Sequence, residues 1–240
     1  MFSVKSSVSF SACDADQKLT AGGLVDYMQD CCNLQACSDN IDVSYLVSIK
    51  KAWILNCWHI VVKRMPQAYE NITVSTWPYE FKGFYGMRNF KVEDENGSIC
   101  AYADSTWTLV DIDTGRPAKL TDEVLEHYHI EEPYPMAHEG RKIAVKDEGE
   151  LCSVIEVKKH HIDVNHHMNN AQYIREAFDY VPDDFAYTDI RAEYRKQTLL
   201  LEKLEIYRTI TPESVTIVMK GVDKAVHAVI KFDKKDEEQI

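Results

Sequence analysis

A chain of 240 residues, 45% hydrophobic and 28% charged, has room for one large or two small globular domains and is too apolar for a disordered chain. Its 27 Lys and Arg stand against 39 Asp and Glu, a formal net charge of -12; this argues against nucleic-acid binding and against docking on an anionic membrane, both of which need a positive footprint. No apolar run approaches the length of a membrane span, and Met1-Phe2-Ser3-Val4-Lys5 lacks the charged-then-apolar layout of a signal peptide.

The first helical stretch covers 19–36, with Leu24, Met28 and Cys31 on one stripe, Tyr27 and Leu34 flanking it, and Thr20 as the cap. Gly22 and Gly23 near its start suggest a close backbone approach. Strand-like segments follow. Residues 53–63 are rich in β-branched and aromatic types; Ile72, Val74 and Thr76 alternate with polar neighbours; Arg88, Phe90 and Val92 lie in a further run. Glu95-Asn96-Gly97-Ser98 reads as the turn of an antiparallel hairpin leading into Ile99, Ala101, Ala103, Ser105 and Trp107. Residues 116–150 read as a linker with a short helical candidate at 122–129, then Pro133 and Pro135. The second half repeats the order. Met168, Ala171, Ile174, Ala177 and Phe178 make one helical stripe, and runs around Ile190, Leu204, Ile217 and Ile230 read as strands. The 234–238 tail reads as frayed. One apolar helix and one half-apolar sheet per half are best buried by wrapping the sheet around the helix.

The seven cysteines, at 13, 31, 32, 37, 57, 100 and 152, are odd in number and scattered, which suits a reduced, cytoplasmic protein better than a disulfide framework. Cys31, Cys32 and Cys37 match no paired zinc spacing. The four histidines at 160, 161, 166 and 167 have mixed spacing, and no metal is expected. The segment richest in chemistry is Asp163-Val164-Asn165-His166-His167-Met168-Asn169-Asn170. If extended, it puts Asp163, Asn165 and His167 on one face just ahead of a buried helix. The backbone N–H groups around Asn169 and Asn170, at the helix start, could stabilise an oxyanion. Each residue also has a plainer reading: Asp163 or Asn165 as a cap, His167 as a satisfied structural histidine, and Glu193 as an ion-pair partner of Arg191 or Arg195. Trp53, Trp58, Trp77 and Trp107 read as core or rim aromatics.

This segment, with Tyr173, resembles the Asp-x-Asn-x-His-x-Asn-Asn-x-x-Tyr signature of the acyl-ACP thioesterases. Arg88-Asn89-Phe90, Ala103-Asp104-Ser105-Thr106-Trp107, Asp113-Thr114-Gly115-Arg116-Pro117 and Ala192-Glu193-Tyr194-Arg195-Lys196-Gln197-Thr198 resemble further landmarks of that family in the same order. The resemblance implies an α+β tandem (double) hotdog, each half an antiparallel β-sheet wrapped around a central α-helix. It divides the chain into 1–118, which would shape the acyl pocket, a linker at 119–150, and 151–234, which would carry the catalytic residues. It implies hydrolysis of fatty acyl-ACP to free fatty acid in fatty acid biosynthesis, with no cofactor. The partner would be acyl carrier protein, and the chain a monomer or homodimer.

The implied catalytic residues are Asp163, Asn165, His167 and Gln197. His167, with a pKa naturally near neutrality, is the first candidate for general base, and Asp163 would fix its tautomer or serve as the base itself. Where plant members of the family carry Glu-Cys, this chain has Gln197-Thr198, which removes a thiol nucleophile and a glutamate base at those positions. Gln197 could still hold a water or the substrate carbonyl. Lys158, Lys159, Arg175, Arg195 and Lys196 are candidate carrier contacts. The corresponding stretch of the first half, 14–20, has no histidine, so one active site per chain is expected. The alternatives are an acyl-CoA thioesterase, a hotdog dehydratase and a non-catalytic acyl-binding module.

Overall fold

The computed structural model describes residues 1–145 and 149–234. Three residues of the expected linker and all but the first residue of the 234–238 tail lie outside the described residues.

Five strands precede the linker: β1 (Phe2–Ser7), β2 (Lys51–Val62), β3 (Asn71–Lys82), β4 (Tyr85–Asp94) and β5 (Ile99–Asp111). Five follow it: β6 (Glu150–Glu156), β7 (Asp189–Tyr194), β8 (Lys203–Ile210), β9 (Ser214–Gly221) and β10 (Val226–Asp233). They form one antiparallel sheet of ten strands in the order β1-β3-β4-β5-β2-β7-β10-β9-β8-β6. The order is palindromic. Outward from the central β2·β7 pair, each strand of the first half has its counterpart at the same place in the second. The seam runs from Cys57 opposite Glu193 to Val61 opposite Asp189. The two sheets are thus joined edge to edge, which leaves neither inner edge open to foreign strands.

Each half wraps one helix, α1 (Ala21–Ser38) in the first and the longest helix of the second, Asn170–Phe178. Between them come α2 (Val43–Ser48) and α3 (Asp122–Leu125), which makes Asn170–Phe178 α4. Thr20 caps α1 as expected, its Oγ1 accepting from the Gly23 N–H at 3.0 Å. Leu24, Met28 and Cys31 are buried, as are Met168, Ala171, Ile174 and Ala177 of the second stripe. They meet the inward residues of the sheet, including Trp58, Phe90, Ile190, Ile217 and Phe232, in one core. Each of the larger side chains among them, such as Leu24, Met28, Ile174 and Phe90, is worth roughly 1.5–3 kcal/mol of burial. The expected close approach at the double glycine is real: a Cβ on Gly22 would run into the Arg175 side chain of α4. Arg175 also pairs with Asp26, and Asn170 Nδ2 donates to Gln29 Oε1 at 3.2 Å, so the two helices are stitched together.

The linker is less slack than its composition suggests. Residues 130–145 cross the face of the sheet opposite the helices, held by hydrogen bonds to both halves. Trp77 Nε1 donates to the Glu132 carbonyl at 2.9 Å, the Tyr134 N–H to Asn89 Oδ1 at 2.9 Å, and the Ile143 N–H to Glu193 Oε2 at 2.8 Å. Beneath it the buried His59 Nε2 and Asp189 Oδ2 lie 2.6 Å apart across the seam. No helix of the described residues is long and apolar enough to cross a membrane.

Candidate active site

The Asp163–His167 stretch is not extended, which corrects that expectation. It is a tight turn closed by the Asp163 N–H donating to the His167 carbonyl at 3.0 Å and the His166 N–H to the Asp163 carbonyl at 3.1 Å. His166 takes the left-handed conformation, φ 66°, that such a turn requires. On either side, Ile162 and Met168 bridge as a one-pair antiparallel ladder. The turn brings Asp163 and Asn165 into contact by curling the chain, rather than by the alternation of a strand, and among the described residues no hydrogen bond joins either to the His167 imidazole.

The carboxylate of Asp163 faces inward on this turn. Its Oδ1 accepts the Asn165 N–H at 2.8 Å, and Oδ2 lies 3.5 Å from Asn165 Nδ2. Among the described residues no hydrogen bond joins Asp163 to the imidazole of His167, so the expected tautomer-fixing contact is not made. Asn165 is exposed and His167 half-buried.

The helix start also differs in detail. The Asn169 N–H, expected to serve an oxyanion, donates instead to the His161 carbonyl at 2.8 Å. Asn169 is the cap of α4, its Oδ1 accepting from the Ala171 N–H at 2.8 Å. Of the two backbone donors named from the sequence, only that of Asn170 finds no acceptor among the described residues.

Gln197 lies exposed on the segment that leaves β7. It joins the turn through its neighbour: the Met168 N–H, next to His167, donates to the Thr198 carbonyl at 2.8 Å. Thr198 itself is fully buried. Its Oγ1 accepts from the Tyr173 hydroxyl at 2.8 Å and lies 2.6 Å from His227 Nδ1. Burial pushes the Tyr173 hydroxyl up to about 12 and lowers the basicity of His227. Sequence reasoning passed over His227, which reads as one more position of an alternating strand.

The candidate carrier contacts separate into two groups. Arg175 is paired with Asp26 of α1, Arg195 with Glu193 at 2.7 Å, and Lys196 with Asp223 at 2.8 Å. The Glu193–Arg195 pair is the plainer structural role foreseen for Glu193. Lys158 and Lys159 are exposed at the 3-10 turn that leads into the motif. Two clefts open elsewhere, one beneath the linker beside His59, Asp104 and Arg191, the other beside Met1, Trp77 and Tyr79; neither is lined by a motif residue.

Comparison with known proteins sets this geometry in a family. The acyl-ACP thioesterase N-terminal domain matches residues 1–128, and the acyl-ACP thioesterase C-terminal domain matches 145–237. A tandem hotdog with a polar turn ahead of its second helix is therefore the class of protein in hand. The chain belongs to the acyl-ACP thioesterase family.

Among characterised relatives, a chloroplastic palmitoyl-acyl carrier protein thioesterase of Cuphea hookeriana is 28% identical over 157 residues, 60% of this chain and 38% of the relative. A chloroplastic oleoyl-acyl carrier protein thioesterase of Arabidopsis thaliana is 24% identical over 176 residues, 67% of this chain and 49% of the relative. The chain spans less than half the length of these relatives. An acyl-ACP thioesterase structure from Bacteroides thetaiotaomicron superposes with a TM-score of 0.88 at 22% identity, covering 96% of each chain. The 12:0-ACP thioesterase of Umbellularia californica superposes with a TM-score of 0.84 at 17% identity, over 97% of this chain and 96% of that one. Both likenesses bear out the double hotdog.

Proposed function

We propose that the protein hydrolyses the thioester of a fatty acyl-ACP and releases the free fatty acid. The observation that carries this reading is the Asp163–His167 turn. It sets an imidazole, an amide and a carboxylate at the N-terminal end of α4, in a chain of the acyl-ACP thioesterase family. In this reading the oxygen of a water attacks the acyl carbon while His167 takes one of its protons. Gln197 and Asn165 orient the water and the carbonyl, and the Asn170 N–H receives the developing oxyanion. Collapse expels the thiolate, which takes the proton back from His167, so that water and thioester become acid and thiol. Asp163 serves by clamping the turn, since its carboxylate is engaged by Asn165. The division of labour is that residues 1–118 shape the acyl pocket, 119–150 link the halves, and 151–234 carry the chemistry. All seven cysteines are free thiols, which suits a cytoplasmic protein. The tandem halves already supply the paired arrangement that a single hotdog obtains by dimerising, which is compatible with a monomer or a homodimer.

One observation favours a second reading, hydrolysis of acyl-CoA. Arg175, Arg195 and Lys196 are engaged in local ion pairs, which leaves Lys158 and Lys159 to attract an acidic carrier to a chain of net charge -12. Thiol release from a panel of acyl-ACP and acyl-CoA substrates separates the two. Turnover of acyl-ACP at a kcat/KM well above that of acyl-CoA is expected. The reverse order selects the second reading, and no release from either overturns both.

A further inference from the structure

The polar triplet Tyr173, Thr198 and His227 stands behind the candidate site and is buried throughout, with 3%, 0% and 2% exposure. We infer that it is a positioning device for that site: it locks the segment bearing Gln197 onto the turn bearing His167. The inference rests on the hydrolase reading above for its kinetic test, though its geometry stands apart from that reading.

Three elements meet here. His227, on β10, holds the chain on one side of Gln197, its carbonyl accepting the Arg195 N–H at 2.8 Å and the Lys196 N–H at 3.1 Å. Thr198 holds the other side, its carbonyl accepting the Met168 N–H at 2.8 Å. The side chains close the circuit: Tyr173 of α4 donates to Thr198 Oγ1 at 2.8 Å, and the Thr198 hydroxyl has its own proton to give to His227 Nδ1 at 2.6 Å. Gln197 is therefore clamped on both flanks, against the residue that follows His167 and against the first turn of α4.

The first half closes the equivalent corner without such a triplet. The same backbone bonds recur there: the Leu19 N–H donates to the Pro66 carbonyl at 2.8 Å, and the Lys63 and Arg64 N–H groups donate to the Cys100 carbonyl at 2.9 and 3.1 Å. The residues equivalent to Thr198 and His227 are thus Pro66 and Cys100. Leu24 is equivalent to Tyr173, since both are fourth residues of their helices. An apolar Leu, Pro and Cys close the same corner where there is no histidine-bearing turn. A buried polar network costs desolvation unless fully satisfied, and His227 Nε2 has no partner among the described residues. The more costly solution is found only in the half that carries the candidate chemistry.

Thr198→Val keeps the shape and removes the hydroxyl, and Thr198→Ser restores it. Thr198→Val is expected to lower kcat by ~10-fold or more with KM changed by less than ~2-fold, and Thr198→Ser to recover most of the loss. A folded Thr198→Val protein with wild-type kcat, or a Thr198→Ser protein no better than it, overturns the inference. If Thr198→Val does not fold, Tyr173→Phe, which removes only a hydroxyl, carries the same expectation. A wild-type protein that hydrolyses neither acyl-ACP nor acyl-CoA overturns the hydrolase reading instead. Nuclear magnetic resonance then decides the inference: Thr198→Val must shift the amide signals of Gln197 and Met168, and unshifted signals overturn it.

Discussion

The turns that precede the two central helices have nearly the same backbone and different side chains. In the first half the Asp14 N–H donates to the Lys18 carbonyl at 2.8 Å and the Gln17 N–H to the Asp14 carbonyl at 3.1 Å; in the second the corresponding bonds of Asp163, His167 and His166 are 3.0 and 3.1 Å. Gln17 and His166 share a left-handed φ of 64° and 66°. Asp14 Oδ1 accepts the Asp16 N–H at 2.9 Å, as Asp163 Oδ1 accepts the Asn165 N–H at 2.8 Å. Asp14 Oδ1 also accepts the Lys18 N–H at 2.9 Å, whereas Asp163 Oδ2 lies 3.5 Å from Asn165 Nδ2, so each aspartate clamps its turn with one shared and one distinct contact, in a first half with no histidine at this place. What the second turn adds is Asn165 where the first has Asp16, and His167 where the first has Lys18. The proposed chemistry thus sits on a loop whose backbone shape recurs without those two side chains.

The largest test of this comparison is to remove the added groups one side at a time. His167→Ala is expected to lower turnover by ~100-fold or more, the scale of a lost general base, while Lys18→Ala leaves it unchanged. Asp14→Ala and Asp163→Ala each remove a carboxylate that clamps its turn and are each expected to cost about 1 kcal/mol in urea unfolding, Asp14→Ala the more because Asp14 accepts two backbone N–H groups. Only Asp163→Ala should also slow turnover, and by less than His167→Ala. If Asp163→Ala proves the more damaging to rate, the carboxylate is the base and its likeness to Asp14 is superficial.

A smaller effect separates the halves by pH. Burial, aided by Lys196, holds His227 below the ordinary histidine value of 6.5, whereas its counterpart Cys100 is pushed up to about 11. Unfolding releases His227 to take up a proton more readily. Its contribution to stability is therefore present above pH ~6.5 and lost as pH falls below that value. Cys100 stays protonated across the same range and contributes no slope. Urea unfolding at pH 7 and pH 5.5 should show a loss for the wild type that is smaller in His227→Asn, and no such difference for Cys100→Ala. Equal slopes in all three proteins would show that His227 is not held neutral by its surroundings.

Much of this was legible in the sequence. Stripes such as Leu24, Met28 and Cys31, or Ala171, Ile174 and Ala177, announce helices because one face is buried, and the Asn96-Gly97 turn announces its hairpin because Gly97 takes φ 80°. β1 and β6 went unrecognised. They are edge strands with one face in solvent, and six or seven residues of polar alternation resemble loop. The palindromic joining at β2·β7 was also hidden, since strand pairing across 130 residues of sequence leaves no local trace. At the site, residue types were legible and conformation was not. Asp163, Asn165 and His167 alternate like a strand, but the left-handed residue at His166 curls them into a turn. The Asn169 N–H was misjudged because its acceptor, the His161 carbonyl, is backbone and carries no residue-type signal.

The smallest expected effect bears most directly on the shared backbone. Gln17 and His166 are both L residues in a conformation that glycine adopts without steric cost, and both are exposed. Gln17→Gly and His166→Gly should each leave stability level or raise it by up to ~1 kcal/mol, the relief of strain set against the added freedom of the unfolded chain. The two changes should match, because the turns match, and neither should alter turnover. Unequal shifts in melting would show that the turns bear different strain despite their like dihedrals. A loss of turnover in His166→Gly alone would place that imidazole in the site beside His167, and the second turn would then carry one more chemical addition than Asn165 and His167.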